Sequence, residues 1–153
     1  MGATLRETLV QHLNELGIRN PADPPDQLYD DNWFRVYIGH RAVKLVPLGR
    51  AIRSIAVHDA HHLITGYGTD AAGESALTLW ELASGGCGRH WIMWFDRLLA
   101  VPTFCLFFPR AAVRGFKRGR HAKNLYREDM EEALARDFEE VKRSVEGATI
   151  EAR

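Results

Sequence analysis

A chain of 153 residues with 46% hydrophobic side chains and 20 basic against 20 acidic groups is long enough to bury a core as one domain. Its zero formal charge removes the general electrostatic case for a nucleic-acid partner, and it has no apolar run of the roughly 18 residues a membrane span needs. Two cysteines, Cys87 and Cys105, without a CxxC pair exclude a disulfide scaffold and fit a reducing, cytoplasmic setting.

In chain order, helix signals dominate. The N-terminus is mixed polar and apolar, unlike a signal peptide. Leu5, Leu9, Leu13 and Leu16 recur at helical spacing, and Gly17 can end that helix. Asn20–Asp31 carries three prolines and four aspartates and reads as a loop. Trp33–Ile38 is a short apolar segment of undecided type. Ile52, Ile55 and Ala56 put an apolar face on a helix predicted from about Leu48 to Thr65, which Gly66-Tyr67-Gly68 breaks. Thr69 or Asp70 can cap the next helix, running through Leu77, Leu79, Trp80 and Leu82 to Gly85-Gly86.

A helix over His90–Ala100 is expected to carry Trp91, Trp94, Phe95 and Leu98 on one side, and Pro102 suits the start of another. Leu98–Pro109 is the most apolar stretch. At twelve residues it is too short to cross a bilayer and reads as core or pocket wall in preference to a membrane surface. Arg110–Arg127 then holds seven Lys/Arg and no acid, and Glu128–Glu140 holds seven acids against Arg136 alone. The plain reading is solvated helix faces. The sharper one is a basic patch for a phosphate or other anionic head group. A last amphipathic helix is predicted over about Asp129–Val145, with Met130, Leu134, Phe138 and Val141 inward. Its apolar face can close the core or form a homodimer. With little strand alternation anywhere, the pattern predicts an all-α fold. It is an irregular helical bundle forming a single domain over residues 1–153, with a proline-rich loop at 20–31 and a frayed C-terminus.

The chemistry centres on His58-Asp59-Ala60-His61-His62, followed after eleven residues by Glu74, an HDxxHx₁₁E pattern. His58 and His62 are four apart and share a helical face, and Asp59 lies at its flank. A tight turn at Gly66–Gly68 folds the next helix back, which brings Glu74 near the histidines. Two imidazoles and carboxylates match zinc with an open coordination place, and equally the two-histidine, one-carboxylate set of non-haem iron. The same residues could instead form a buried salt-bridged network or an exposed group. His61 sits off the His58/His62 line, at the surface or behind the ligands. Cys87 and His90 lack the second close pair that a zinc knuckle needs. A His-Asp pair also suggests an HD-type phosphohydrolase, but His40 and Asp96 are poorly spaced for its remaining ligands, and His62 and Glu74 would then have no role.

This motif, within HDAHHLITGYGTDAAGESAL, resembles the coenzyme Q (ubiquinone) biosynthesis protein 4 family. So does a second stretch, GFKRGRHAKNLYREDMEEAL, where Gly115, Gly119, Ala122, Lys123 and Leu125 follow the family's Gly-x₃-Gly-x₂-Ala-Lys-x-Leu pattern. The resemblance covers roughly Pro47 to Leu134. It implies an all-helical fold and a metal centre of His58, Asp59, His62 and Glu74, holding zinc, iron or manganese. It also implies a role in ubiquinone biosynthesis, at oxidative decarboxylation and hydroxylation of one ring carbon of a prenylated 4-hydroxybenzoate. Isoprenoid-lipid binding and the organisation of other quinone-biosynthesis enzymes at a membrane surface are further implications. On that reading Trp94, Phe95, Leu98, Phe104 and Phe107 line a groove for a prenyl tail, where the alternative is ordinary core packing. Lys117, Arg120 and Lys123 meet a carboxylate or phosphate head group, where the alternative is solvated surface. A redox-active metal favours an oxidative enzyme. Zinc favours Lewis-acid decarboxylation or a non-catalytic prenyl-lipid carrier.

Overall fold

A computed structural model describes residues 2–17, 33–38, 41–47 and 52–147, with the backbone alone described for 33–38, 41–47 and 52. The expected loop at 20–31 and the frayed C-terminal end fall outside these residues. Seven α-helices build the described core, in the order α1 (Leu5–Glu15), α2 (Ile52–Thr65), α3 (Ala71–Ala83), α4 (Trp91–Phe107), α5 (Pro109–Gly119), α6 (Met130–Ala135) and α7 (Phe138–Glu146). The all-α expectation holds for this core. The segment of undecided type is a strand, β1 (Trp33–Ile38), paired antiparallel with β2 (Arg41–Pro47) from Ile38↔Arg41 to Trp33↔Pro47, with an irregularity at Phe34/Arg35.

The leucine repeat of α1 works as read: Leu5, Leu9 and Leu13 are buried, and Leu16 beyond the helix end is exposed. Thr4 and Glu7 close a reciprocal cap, with the Glu7 amide on Thr4 Oγ1 at 3.2 Å and the Thr4 amide on Glu7 Oε2 at 2.7 Å. The leucines join Val57, Ala60 and Ile64 of α2, Leu77 and Trp80 of α3, and Val141 and Val145 of α7 in one core. Gly66, at φ +70°, ends α2 in a conformation that a β-carbon disfavours. Asp70 caps α3 by accepting from the Gly73 amide at 3.1 Å, so α3 doubles back along α2.

The Gly-x₃-Gly spacing has a packing cause. Helix α5 buries Ala111, Ala112, Gly115 and Gly119 and packs most closely against α3. A β-carbon at Gly115 would stand 1.9 Å from the carbonyl oxygen of Ala76, and one at Gly119 would stand 2.4 Å from that of Trp80. Gly115→Ala is therefore expected to force the helices apart and cost about 1–3 kcal/mol, read as a lower denaturant midpoint. An unchanged midpoint would mean that α5 does not sit this close.

Three expectations need correction. Helix α4 runs unbroken through Pro102 to Phe107, and the helix start is at Pro109, the first residue of α5. A proline costs α4 one hydrogen bond, but Leu98, whose carbonyl would have received it, is exposed along with Pro102. The predicted Asp129–Val145 helix is two helices. Arg136 is extended, its carbonyl takes the Leu5 amide at 2.9 Å, and Asp137 caps α7 by accepting from the amides of Glu139 and Glu140. Pairing with the N-terminal segment thus outcompetes helix continuation.

The third correction concerns polarity. The Leu98–Pro109 stretch is not core. Helix α4 buries only Met93 and Arg97, while Trp91, Phe95, Leu98, Leu99, Leu106 and Phe107 are exposed. Among the described residues no helix is long and apolar enough to cross a membrane.

Candidate metal centre

Helices α2 and α3 face each other with three histidines on one and two glutamates on the other. His58 and His62 are one helical turn apart, and their rings meet edge-on with centroids 4.9 Å apart. Glu74, in the first turn of α3, lies between them: Oε2 is 3.3 Å from His58 Nε2 and Oε1 is 3.1 Å from His62 Nε2. One ligand atom from each of His58, His62 and Glu74 falls within 4.8 Å of the others. Asp59, the fourth ligand implied by the resemblance, is half-buried on α2 and does not belong to this group of three.

The far nitrogens of both rings have defined partners. His62 Nδ1 is 2.9 Å from the Tyr67 carbonyl. A carbonyl only accepts, so that nitrogen carries a proton and Nε2 is the nitrogen left facing Glu74. His58 Nδ1 is 3.0 Å from Glu81 Oε1, again an acceptor. Two imidazole Nε2 atoms thus face one carboxylate, an arrangement that either protons or a cation can bridge. A divalent ion fits this arrangement. Ligand atoms about 2.1 Å from a tetrahedral ion are roughly 3.4 Å apart; the two histidine–glutamate separations are 3.3 and 3.1 Å, each to a different oxygen of Glu74. The donor set is that of zinc or of two-histidine, one-carboxylate iron. At 30% exposure, Glu74 is the solvent-connected member, while His62 is buried.

Without a metal ion, protons fill the gap. Burial opposes charge on His58, but Glu81 and Glu74 outweigh it and push its pKa up to about 10. Burial likewise opposes ionisation of Glu74, yet the hydrogen bonds of His58 and His62 bring it down to about 2. At pH 7 His58 is therefore protonated and Glu74 already ionised. Metal uptake must displace the His58 Nε2 proton and should tighten as pH rises toward about 10. Calorimetric titrations in buffers of different ionisation enthalpy are expected to show release of about one proton per ion at pH 7. Zero release would remove His58 from the ligand set.

Behind the three ligands lies a group of residues that sequence reasoning did not select. Glu81 is fully buried. Its Oε1 accepts from His58 Nδ1 at 3.0 Å, His61 Nδ1 at 2.8 Å and Tyr126 Oη at 3.1 Å, and its Oε2 receives Arg97. Despite burial, His58, His61 and Arg97 hold its carboxyl well below the usual range. His61 is fully buried, which places it behind the ligands, the second of its two expected positions, and not at the surface. Its Nε2 accepts the Leu125 amide at 3.0 Å, so its proton sits on Nδ1. Its ring packs edge-on against Trp80 and Tyr126, each with centroids 5.2 Å away. Two signals pointed here. Glu81 follows Glu74 by seven residues, on the same helical face, and Arg97 interrupts an otherwise apolar helix.

The other expected site residues lie apart from this centre. Trp94, Phe95, Leu98 and Phe107 are exposed and Phe104 is half-buried, so none of the five is a buried core residue. Lys117, Arg120 and Lys123 are exposed on α5 and the turn after it. The basic groups that reach the α2–α3 turn are Arg114 and Arg118, whose guanidinium carbons lie 5.8 and 5.2 Å from the Tyr67 ring centre. Arg118 also donates to the Thr65 carbonyl at 2.7 Å and pairs with Glu146. No family model matches this chain, and no curated protein matches it.

Proposed function

We propose that this chain is a metal-dependent enzyme of the coenzyme Q biosynthesis protein 4 kind. Its reaction would be the oxidative decarboxylation of a prenylated 4-hydroxybenzoate ring, in which the ring acid, dioxygen and water give the ring hydroxyl, carbon dioxide and hydrogen peroxide. The observation that carries this reading is the convergence of two imidazole Nε2 atoms on a partly exposed glutamate. The HDxxHx₁₁E and Gly-x₃-Gly-x₂-Ala-Lys-x-Leu patterns supply the substrate class. A divalent ion held there would act as a Lewis acid toward the substrate carboxylate and, if iron or manganese, would supply the redox chemistry. His58 and His62 would orient it through nitrogens whose tautomers the Glu81 and Tyr67 contacts set. Asp59, half-buried beside them, would hold or move a proton at the site rim.

A second reading is favoured by a separate observation. The exposed apolar side of α4 exceeds what a solvated helix ordinarily shows. It suits a non-catalytic prenyl-lipid carrier, peripheral at a membrane surface, that presents intermediates to other quinone-biosynthesis enzymes. The two readings part on turnover. Protein purified without added metal is assayed for bound ions, then incubated with prenylated 4-hydroxybenzoate under oxygen while carbon dioxide is measured. Bound iron or manganese with carbon dioxide release that His58→Ala abolishes supports the enzyme. Tight binding of the prenylated ring without release, after reconstitution with iron, manganese and zinc in turn, leaves the carrier.

A further inference from the structure

Glu81 contacts no open space. It is enclosed by α2, α4 and the 3-10 turn Leu125–Arg127, and four donors occupy its carboxylate: His58, His61, Tyr126 and Arg97. A carboxylate so saturated has no lone pair directed at the His58/His62/Glu74 group, so it is not a fourth ligand. The two α3 carboxylates do different work from the two ends of one imidazole. Glu74 faces His58 Nε2 and Glu81 faces His58 Nδ1.

We propose that Glu81 is the positioning residue of the metal centre: by accepting the hydrogen bond of His58 Nδ1–H it keeps the proton on that nitrogen, makes Nε2 the only one that can ligate and holds the ring in the plane that ligation needs. The inference rests on the metal reading above and deepens it. Arg97 Nη2 is 3.2 Å from His58 Nδ1 as well, and because a guanidinium only donates that contact is a hydrogen bond only if Nδ1 is bare; Nη2 is already engaged with Glu81 Oε2, and Glu81 Oε1 is the nearer partner of Nδ1 at 3.0 Å. The acceptor at this end of the ring is therefore Glu81. Arg97 serves as its counter-ion, keeping a carboxylate ionised where no solvent can do so. His61 shares Oε1 but is turned by the Leu125 amide, so its Nε2 is occupied and unavailable to an ion. One buried carboxylate thus separates a ligating histidine from a non-ligating one three residues away. Buried acid partners of ligating histidines commonly raise affinity through both orientation and ligand basicity.

The test is a cobalt(II) titration of the metal-free protein, followed by its visible absorption bands. Glu81→Gln keeps the size of the side chain and removes its charge; it is expected to bind cobalt 10–100-fold more weakly than the unmodified chain, with altered bands. Leu5→Ala, a core truncation in α1, a helix that carries no residue of the centre, is expected to lose stability and keep the unmodified affinity, which separates positioning from loss of stability. Unchanged affinity and bands in Glu81→Gln overturn the proposal. So does equal weakening in Leu5→Ala. Failure of the unmodified chain to bind cobalt removes the metal reading itself and the proposal with it. Should Glu81→Gln not fold, imidazole nitrogen NMR of the unmodified zinc-loaded protein decides instead. A proton on His58 Nδ1 with zinc on Nε2 is required, and zinc on Nδ1 refutes it.

Discussion

Arg97→Ala is expected to lower stability by about 3 kcal/mol, the lower end of the cost of breaking a buried ion pair. Arg97 is 5% exposed and its partner Glu81 is fully buried, so removing the guanidinium leaves Oε2 of a carboxylate that solvent cannot reach without its donor, while His58, His61 and Tyr126 still hold Oε1. For a chain of this size the loss corresponds to a melting temperature lower by about 10 °C. The informative control is its neighbour. Leu98→Ala, at a position 71% exposed, is expected to change stability by less than about 0.5 kcal/mol. Hydropathy alone ranks the two the other way, because leucine is the residue ordinarily found inside. Thermal or denaturant unfolding of both variants settles the orientation of α4. A larger loss in Leu98→Ala than in Arg97→Ala would mean that the helix packs with its apolar side inward.

His62→Ala is expected to abolish stoichiometric metal binding, weakening it by more than about 100-fold, beyond what loss of an outer hydrogen-bond partner brings. The imidazole supplies one of three converging donors, and alanine leaves two, too few to outcompete water. His62 is a cleaner target than His58 because its Nδ1 bonds only a turn carbonyl, whereas His58 also pairs with Glu81. Asp59→Asn is the contrasting variant. Asp59 stands outside the three-residue group, so the amide is expected to leave stoichiometric binding intact while slowing turnover, in line with a role in proton transfer. Ion content by mass spectrometry after dialysis distinguishes the cases. Metal lost from Asp59→Asn and kept in His62→Ala would reverse the ligand assignment. In the unmodified protein, removing the ion with a chelator should also lower the melting temperature, since an ion at 100 times its Kd stabilises the folded state by about 2.7 kcal/mol.

Much of the centre was legible in the chain. The four-residue separation of His58 and His62 places both rings on one face of any α-helix. Gly66 needs a turn, Asp70 starts a helix, and the short interval to Glu74 leaves it no room to be elsewhere than beside those rings. Helix α1 was equally legible, because its leucines recur at the helical period and Gly17 can end it. These features are local, set by relations within a few residues, and the backbone geometry of one helix or one turn decides them.

What tertiary structure decided lies where two segments distant in sequence compete for the same groups. The Asp129–Val145 pattern is helical throughout, yet the N-terminal strand-like residues take the Arg136 carbonyl and split it. Helix α4 has an apolar stripe that reads as core. The core it meets, however, already holds a buried carboxylate. Leaving Glu81 without Arg97 would cost several kcal/mol, more than the 1.5–3 kcal/mol, roughly, of one apolar side chain in the place of the arginine, so the position of α4 that faces Glu81 is filled by a cation. His61 follows the same rule: a polar ring enters the core because Glu81 and the Leu125 amide satisfy both its nitrogens. Residue spacing alone brings His58, His62 and Glu74 within reach of one ion, while Asp59 on the flank of the same turn is left out of that group. Only the assembled helices determined which nitrogen of each histidine faces it, because that depends on the partner of the opposite nitrogen, and for His58 that partner comes from another helix.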